Sequence, residues 1–162
     1  MNEFFPDIQQ AIPFEGPESK NPLAFKYYNP QQVVGQKTMQ EHLRFSVAYW
    51  HTFKASGMDP FGAPTFERPW IKAETPMEQA EYTVGAAFEF ARKLGAPFYC
   101  FHDRDLAPEG ETFAESCKNL EKMVAKAKQL QEETGIKLLW GTANLFGHPR
   151  YAHGAASNPD AH

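Results

Sequence analysis

A chain of 162 residues with 42% hydrophobic residues suits one domain and is too apolar for disorder. Sixteen Lys and Arg against 20 Asp and Glu give a net charge of −4 with no basic run, which argues against nucleic acid or a polybasic membrane patch as a partner. No segment approaches the ~20 consecutive apolar residues of a membrane span.

The first residues, MNEFFPDIQQ, carry an acid and no apolar core, so no signal peptide is read. Residues 1–36 are rich in proline and turn signals without a sustained period. They read as an extended arm that wraps over another surface, and residues 37–162 read as the domain proper. A short helix is predicted from Thr38 through Glu41, His42 and Arg44. Phe45-Ser46-Val47-Ala48-Tyr49-Trp50 then reads as a buried strand, followed by a Gly/Pro-rich loop from Gly57 to Pro69.

Thr75-Pro76-Met77-Glu78 is a capping box with proline at the first helical position. Ala80, Val84, Ala87, Phe88, Ala91 and Leu94 form one helical stripe, Arg92 and Lys93 suit the negative end of the dipole, and Gly95 ends the helix. Ala96 to Phe101 reads as a second buried strand that ends in the polar cluster His102-Asp103-Arg104-Asp105. Thr112-Phe113-Ala114-Glu115 opens another helix, with a predicted stripe of Phe113, Cys117, Leu120, Val124 and Ala127 and a stop at Gly135. Ile136 to Trp140 is the third strand, running into a polar loop from Gly141 to Asn144.

The order is strand, helix, strand, helix, strand. Short αβ connections alternate with long, decorated βα connections. That asymmetry predicts an α/β fold with a parallel sheet whose strand carboxyl ends carry the function. A closed (β/α)8 barrel needs ~250 residues. The sequence supplies about three of its eight strands, so either the sheet is small and open or the chain is the front part of something larger.

The cluster at 102–105 is the most informative. A carboxylate that accepts one imidazole N–H fixes the tautomer and leaves the other nitrogen to move a proton at neutral pH. The alternative is a loop in which Asp103 or Asp105 caps a turn. Trp50 and Trp140 fall at predicted strand ends, where they form either an apolar wall for a sugar face or core packing. Phe61 sits on the turn Asp59-Pro60-Phe61-Gly62, placed for insertion into a partner or for loop packing. His148, His153 and His162 crowd the tail without helical spacing and make a poor zinc set. His42 and His51 read as surface or core histidines. Aromatic content is high, with 14 Phe, 6 Tyr and 3 Trp, which demands a packed core or an aromatic-lined pocket. Phosphate-loop, dinucleotide, nucleophile-elbow and HExxH motifs are absent from the sequence. Cys100 and Cys117 lack CxxC spacing and are expected to be free thiols in a reducing, cytoplasmic setting.

Several blocks together resemble the longer-chain, class II xylose isomerases. They are Lys20 to Phe25 with Tyr28-Asn29-Pro30, Glu41 to Phe45, Tyr49 to Phe53, Asp59 to Gly62, Phe101 to Asp105, and Leu138 to Asn144. They run in collinear order across nearly the whole chain. The resemblance implies a (β/α)8 TIM barrel, usually a homotetramer. It also implies interconversion of D-xylose with D-xylulose, and of D-glucose with D-fructose, using two divalent ions such as Mg²⁺, Mn²⁺ or Co²⁺. By position, His102 resembles the family's ring-opening histidine and Asp105 the carboxylate that orients it. Trp50, Trp140, Thr142 and Phe146 resemble lining residues of the sugar pocket. Phe61 resembles a loop phenylalanine that reaches a neighbouring subunit's site. The family's metal ligands and its catalytic lysine lie further along the barrel than His162. The resemblance therefore implies a partial chain that carries the ring-opening half of the site without the metal half.

Overall fold

The computed structural model describes residues 3–65, 67–145, 147–148 and 151. A small antiparallel hairpin pairs β1 (Val33–Val34) with β2 (Lys37–Thr38). Gly35, in its turn, has φ +63°, a conformation that glycine adopts without steric cost. Helix α1 (Met39–His42) follows at once. Thr38 caps it reciprocally with Glu41: the Glu41 N–H donates to Thr38 Oγ1, and the Thr38 N–H donates to Glu41 Oε2 at 2.7 Å.

The main sheet has three parallel strands in the order β3 (Ser46–Ala48), β4 (Phe98–His102), β5 (Lys137–Thr142). Helix α2 (Pro76–Leu94) crosses from β3 to β4. The one-turn helix α3 (Asp103–Leu106) and then α4 (Phe113–Thr134) lead from β4 to β5. This is an α/β arrangement with two consecutive parallel crossovers.

The long helices begin and end as their sequence signals require. Thr75 Oγ1 accepts the Glu78 N–H, and Thr112 Oγ1 accepts the Glu115 N–H. The reciprocal arm differs from the expected box: Glu78 and Glu115 reach one residue further back, to the N–H groups of Glu74 and Glu111. Gly95 and Gly135 close the two helices in the left-handed region.

The first strand is shorter than the predicted 45–50. It ends at Ala48, and Trp50–Lys54 forms a π-helical turn. Tyr49 already has helical backbone angles, and it and Phe53 are both fully buried. Helical spacing of four puts these two rings on the same side, and their centroids lie 5.4 Å apart. Burying both rings outweighs continuing the strand. The third strand is longer than predicted: Gly141 and Thr142 belong to β5 rather than to the loop.

The buried face of α4 also differs from the predicted stripe. Ser116, Met123, Ala127 and Leu130 are buried, whereas Phe113 is 86% exposed and Val124 is exposed as well. The face is rotated because Ser116 is satisfied in place. Its Oγ accepts the Gly110 N–H at 3.0 Å and donates to Thr112 O at 3.1 Å. That lets a small polar residue face inward while Phe113 stays outside. The α2 stripe is as expected, with Ala80, Val84, Ala87, Phe88 and Ala91 buried.

The amino-terminal segment clasps α2. The N–H groups of Phe4 and Phe5 donate to the Glu89 carboxylate at 2.8 and 3.1 Å. Lys93, buried beneath them, pairs with Glu89 at 2.7 Å and with Glu3 at 3.2 Å. The rings of Phe4 and Phe5 pack on Trp70, and Phe5 also on Phe90. Further along, Tyr28 meets Phe45 edge-on at the amino end of the sheet. An apolar cavity of about 230 Å³ lies there, lined by residues that include Phe25, Tyr28, Phe45 and Leu94. It sits at the opposite end of the strands from His102.

Burial alone would raise the Glu89 pKa. The Lys93 ammonium and the two N–H donors outweigh that and hold it below its ordinary value near 4.5. This clasp therefore stabilises the fold above the unfolded carboxylate's range and loses its contribution as pH falls through the lowered folded value. Glu89→Ala is expected to cost about 2 kcal/mol at pH 7 in urea unfolding. Glu89→Gln should flatten the loss of stability below pH about 4.5. An unchanged acid limb in Glu89→Gln would remove this role.

Every residue of β5 is exposed, and among the described residues the strand pairs along one edge alone. Leu138, Leu139 and Trp140 are each about 40% exposed. An open edge with apolar side chains recruits other strands. The 162-residue chain is expected to self-associate. Light scattering that finds a monodisperse monomer would contradict this.

Candidate active site

The carboxyl end of β4 carries the site. Successive residues of a strand alternate faces, so Tyr99 and Phe101 point to one side and Cys100 and His102 to the other. The register sets Cys100 beside Ala48 and Trp140, and His102 beside Thr142. Ala48, Cys100, His102, Trp140 and Thr142 therefore share the face away from the helices. On the helix side, Tyr99 and Phe101 stack at 5.9 Å. Gly141 makes room there: a β-carbon would lie 3.3 Å from the Phe101 ring.

Beyond His102 the chain turns into α3, and this turn builds the pair. Asp105 Oδ2 accepts the backbone N–H of His102 at 2.9 Å and lies 3.0 Å from His102 Nδ1. One oxygen thus caps the turn and holds the imidazole. The two sequence readings of this cluster, turn cap and acid–imidazole pair, are both met by one carboxylate. Both side chains are largely buried, at 15% and 11% exposure. With Nδ1 donating to the carboxylate, a neutral ring carries its lone pair on Nε2.

Two indoles cluster against the imidazole. The Trp50 ring centroid is 4.7 Å from that of His102, and the Trp140 centroid is 5.9 Å away. The two indoles are 5.3 Å apart. Trp50 arrives from the π-helical turn after β3, and Trp140 from within β5. The turn that shortens the first strand is what brings Trp50 to the histidine.

Tyr49 lies behind this group. Burial, with Tyr99 and the Asp105 carboxylate adding to it, pushes its phenol far above the ordinary value. Its hydroxyl finds no hydrogen-bond partner among the described residues, so it stays neutral and serves as wall. Tyr99 is pushed up to about 12 by burial, against a hydrogen bond from Gln131. The Lys54 ammonium is held below its usual value by desolvation, which the Asp105 carboxylate partly offsets.

The other predicted site residues are placed as follows. Thr142 ends β5 directly beside His102 in register. Phe61 is 98% exposed on a tight turn, where its N–H donates to Asp59 Oδ1 at 2.8 Å. At that exposure it makes almost no contact within the chain and does not join the cluster. Phe146, His153 and His162 lie outside the described residues. His148 sits 3.6 Å from Glu109. His42 and His51 are exposed. Cys100 and Cys117 are free thiols. Among the described residues no three His, Cys, Asp or Glu side chains gather to hold a metal ion, and no helix is long and apolar enough to cross a membrane.

Asp103 and Asn144 were not separable from their neighbours in the sequence. Asp103 Oδ1 accepts the Arg104 N–H and, 41 residues away, the Asn144 N–H, each at 2.8 Å. An aspartate just past a strand end signals a turn cap, but nothing local names its distant partner.

No protein-family model matches the chain. Curated relatives do, nearly end to end. The xylose isomerase of Thermoanaerobacter pseudethanolicus is 56% identical over 159 residues, 98% of this chain. That of Thermotoga maritima is 55% identical over 161 residues, and that of Caldicellulosiruptor bescii 54% over 159. The chain belongs to the xylose isomerase family. It spans about a third, 36%, of the length of each of these relatives. Xylose isomerase kinship at this identity covers 98–99% of the chain, the resemblance that the collinear motifs had indicated.

The carboxylate contact fixes a testable property of His102. Nitrogen-15 resonances of the neutral ring are expected to report a proton on Nδ1. Asp105→Ala should return the ring to a mixture dominated by Nε2–H. The same tautomer in both proteins would show that Asp105 does not set it.

Proposed function

We propose that the protein carrying this chain is an aldose–ketose isomerase that converts D-xylose to D-xylulose and also takes D-glucose to D-fructose. Within it, this chain supplies the ring-opening step. The observation that carries the reading is the 3.0 Å contact of His102 Nδ1 with Asp105 beside two indoles, in a chain with relatives named xylose isomerase.

A pentose or hexose arrives mainly as a closed ring. Opening it moves a proton from the anomeric hydroxyl to the ring oxygen. The Nε2 lone pair of His102 takes the first proton, and the resulting imidazolium delivers one to the ring oxygen. Asp105 keeps the ring oriented and stabilises the transient charge. Trp50 and Trp140 offer apolar faces to the sugar's C–H groups and exclude water from its carbons. Thr142, the next residue along the rim from His102 across the sheet, offers a hydroxyl to the sugar.

The relatives' activity is associated with two divalent ions, Mg²⁺, Mn²⁺ or Co²⁺, in the sequence resemblance. Among the described residues no group of side chains fits such ions, and by the resemblance their ligands are assigned further along the protein than His162. The three strands are assigned to the start of a (β/α)8 barrel, preceded by the arm of residues 1–36. Phe61 is assigned to a neighbouring subunit's site in a homotetramer, where its exposure finds a use. The free thiols of Cys100 and Cys117 support a cytoplasmic location. The second reading, a folded but inactive piece, is favoured for the isolated chain because it spans 36% of the length of its relatives and the resemblance puts the metal ligands beyond His162.

D-xylose with Mg²⁺ or Mn²⁺ is the test, with xylulose as the readout. The full-length protein should turn over and the 162-residue chain should not. Turnover by the short chain would overturn the assignment of the metal ligands. His102→Asn in the full-length protein should lower turnover by roughly 100-fold while leaving metal affinity unchanged. Equal loss of both would remove the ring-opening role.

A further inference from the structure

The β4–β5 ladder ends at His102 and Thr142. Past that point the Asp103 side chain still ties the two strands together. Asp103 Oδ1 accepts the Asn144 N–H at 2.8 Å, across 41 residues. The same oxygen accepts the Arg104 N–H at 2.8 Å, which anchors the carboxylate to the α3 turn. The Arg104 guanidinium lies 3.7 Å from the other oxygen. The Asp103 side chain is 25% exposed, so the bond is sheltered from competing solvent. Asn144 in turn accepts the Gly147 N–H on its own Oδ1 at 3.1 Å, so the loop after β5 is built outward from this anchor.

From this geometry we propose that Asp103 is a positioning residue for the sugar. By tethering Asn144 to the turn that carries His102, it fixes the gap between the imidazole and the Trp140–Thr142 wall. This rests on the isomerase reading above. A turn cap alone would need only the Arg104 N–H. The bond to Asn144 has no role in α3, and it falls where β5 is least supported. Among the described residues β5 pairs on one edge only, and Trp140 is 41% exposed. Without the tether, the Thr142 end of β5 relaxes away from His102. A sugar bridging the two then loses contact with one of them, and small misplacements at such a site are costly.

The test uses Asp103→Ala and Asp103→Asn in the full-length protein. Alanine removes the acceptor, while asparagine keeps an oxygen for the Asn144 N–H. In Asp103→Ala, KM for D-xylose is expected to rise roughly tenfold with kcat changed less than about threefold, and Asp103→Asn should recover most of the loss. A merely structural role would lower the folded fraction, and with it kcat, and would leave KM alone; that result overturns the proposal. Equal losses in both variants overturn it too, because charge rather than the bond would then matter. Backbone amide exchange at Asn144 separates this idea from the functional reading. No turnover in the unsubstituted protein defeats the isomerase reading. An Asn144 amide that is unprotected in the unsubstituted protein, or that stays protected in Asp103→Ala, defeats the tether whatever the turnover.

Discussion

Asp105 Oδ2 is the atom on which the site depends. It satisfies the His102 backbone N–H where the β4 ladder gives way to α3, and it holds the imidazole Nδ1. A buried carboxylate needs hydrogen-bond donors, and a buried imidazole needs a partner to keep a single tautomer. Each group meets the other's requirement. The turn geometry and the chemistry are therefore one structure: the chain cannot turn this way without presenting the histidine, and the histidine cannot be held without the turn.

The surrounding fold converges on that atom from three strands. β4 delivers His102. The π-helical turn after β3 swings Trp50 inward while burying Tyr49 and Phe53 on the helix side. β5 sets Trp140 and Thr142 at matching heights. Parallel strands put all three carboxyl ends on one rim, where a loop from each can reach a common point. The amino-terminal clasp on α2 steadies the opposite side of the sheet without touching this rim.

Much of this was legible in the sequence. Capping threonines and closing glycines placed α2 and α4, and the strand-helix alternation gave the parallel sheet. The 102–105 cluster stood out because a histidine and aspartates at a strand end can pair acid with imidazole, but spacing alone favoured a turn cap, and only the family resemblance raised the functional reading. The errors share one cause. Local patterns do not say which of two nearly equivalent faces will be buried. Ser116 rather than Phe113 faces inward on α4 because the N–H of Gly110, in the loop six residues upstream, satisfies its hydroxyl. The strand at Tyr49 gave way to a helical turn because Phe53, four residues on, could share its core. The Glu89–Lys93 clasp was hidden likewise: Lys93 reads as an ordinary dipole partner until the arm is seen lying over it.

The aromatic surroundings of His102 have an optical side. Trp50 and Trp140 lie against the imidazole, while the third indole, Trp70, is 4% exposed in the core with its N–H donated to Phe53 O at 3.0 Å. Charged imidazole quenches excited indole on contact. Trp140 thus watches His102, Trp50 meets both His102 and the exposed His51, and the third indole, shielded, supplies a steady reference. The molecule carries its own dye for following protons and sugars at that rim, with no label to attach.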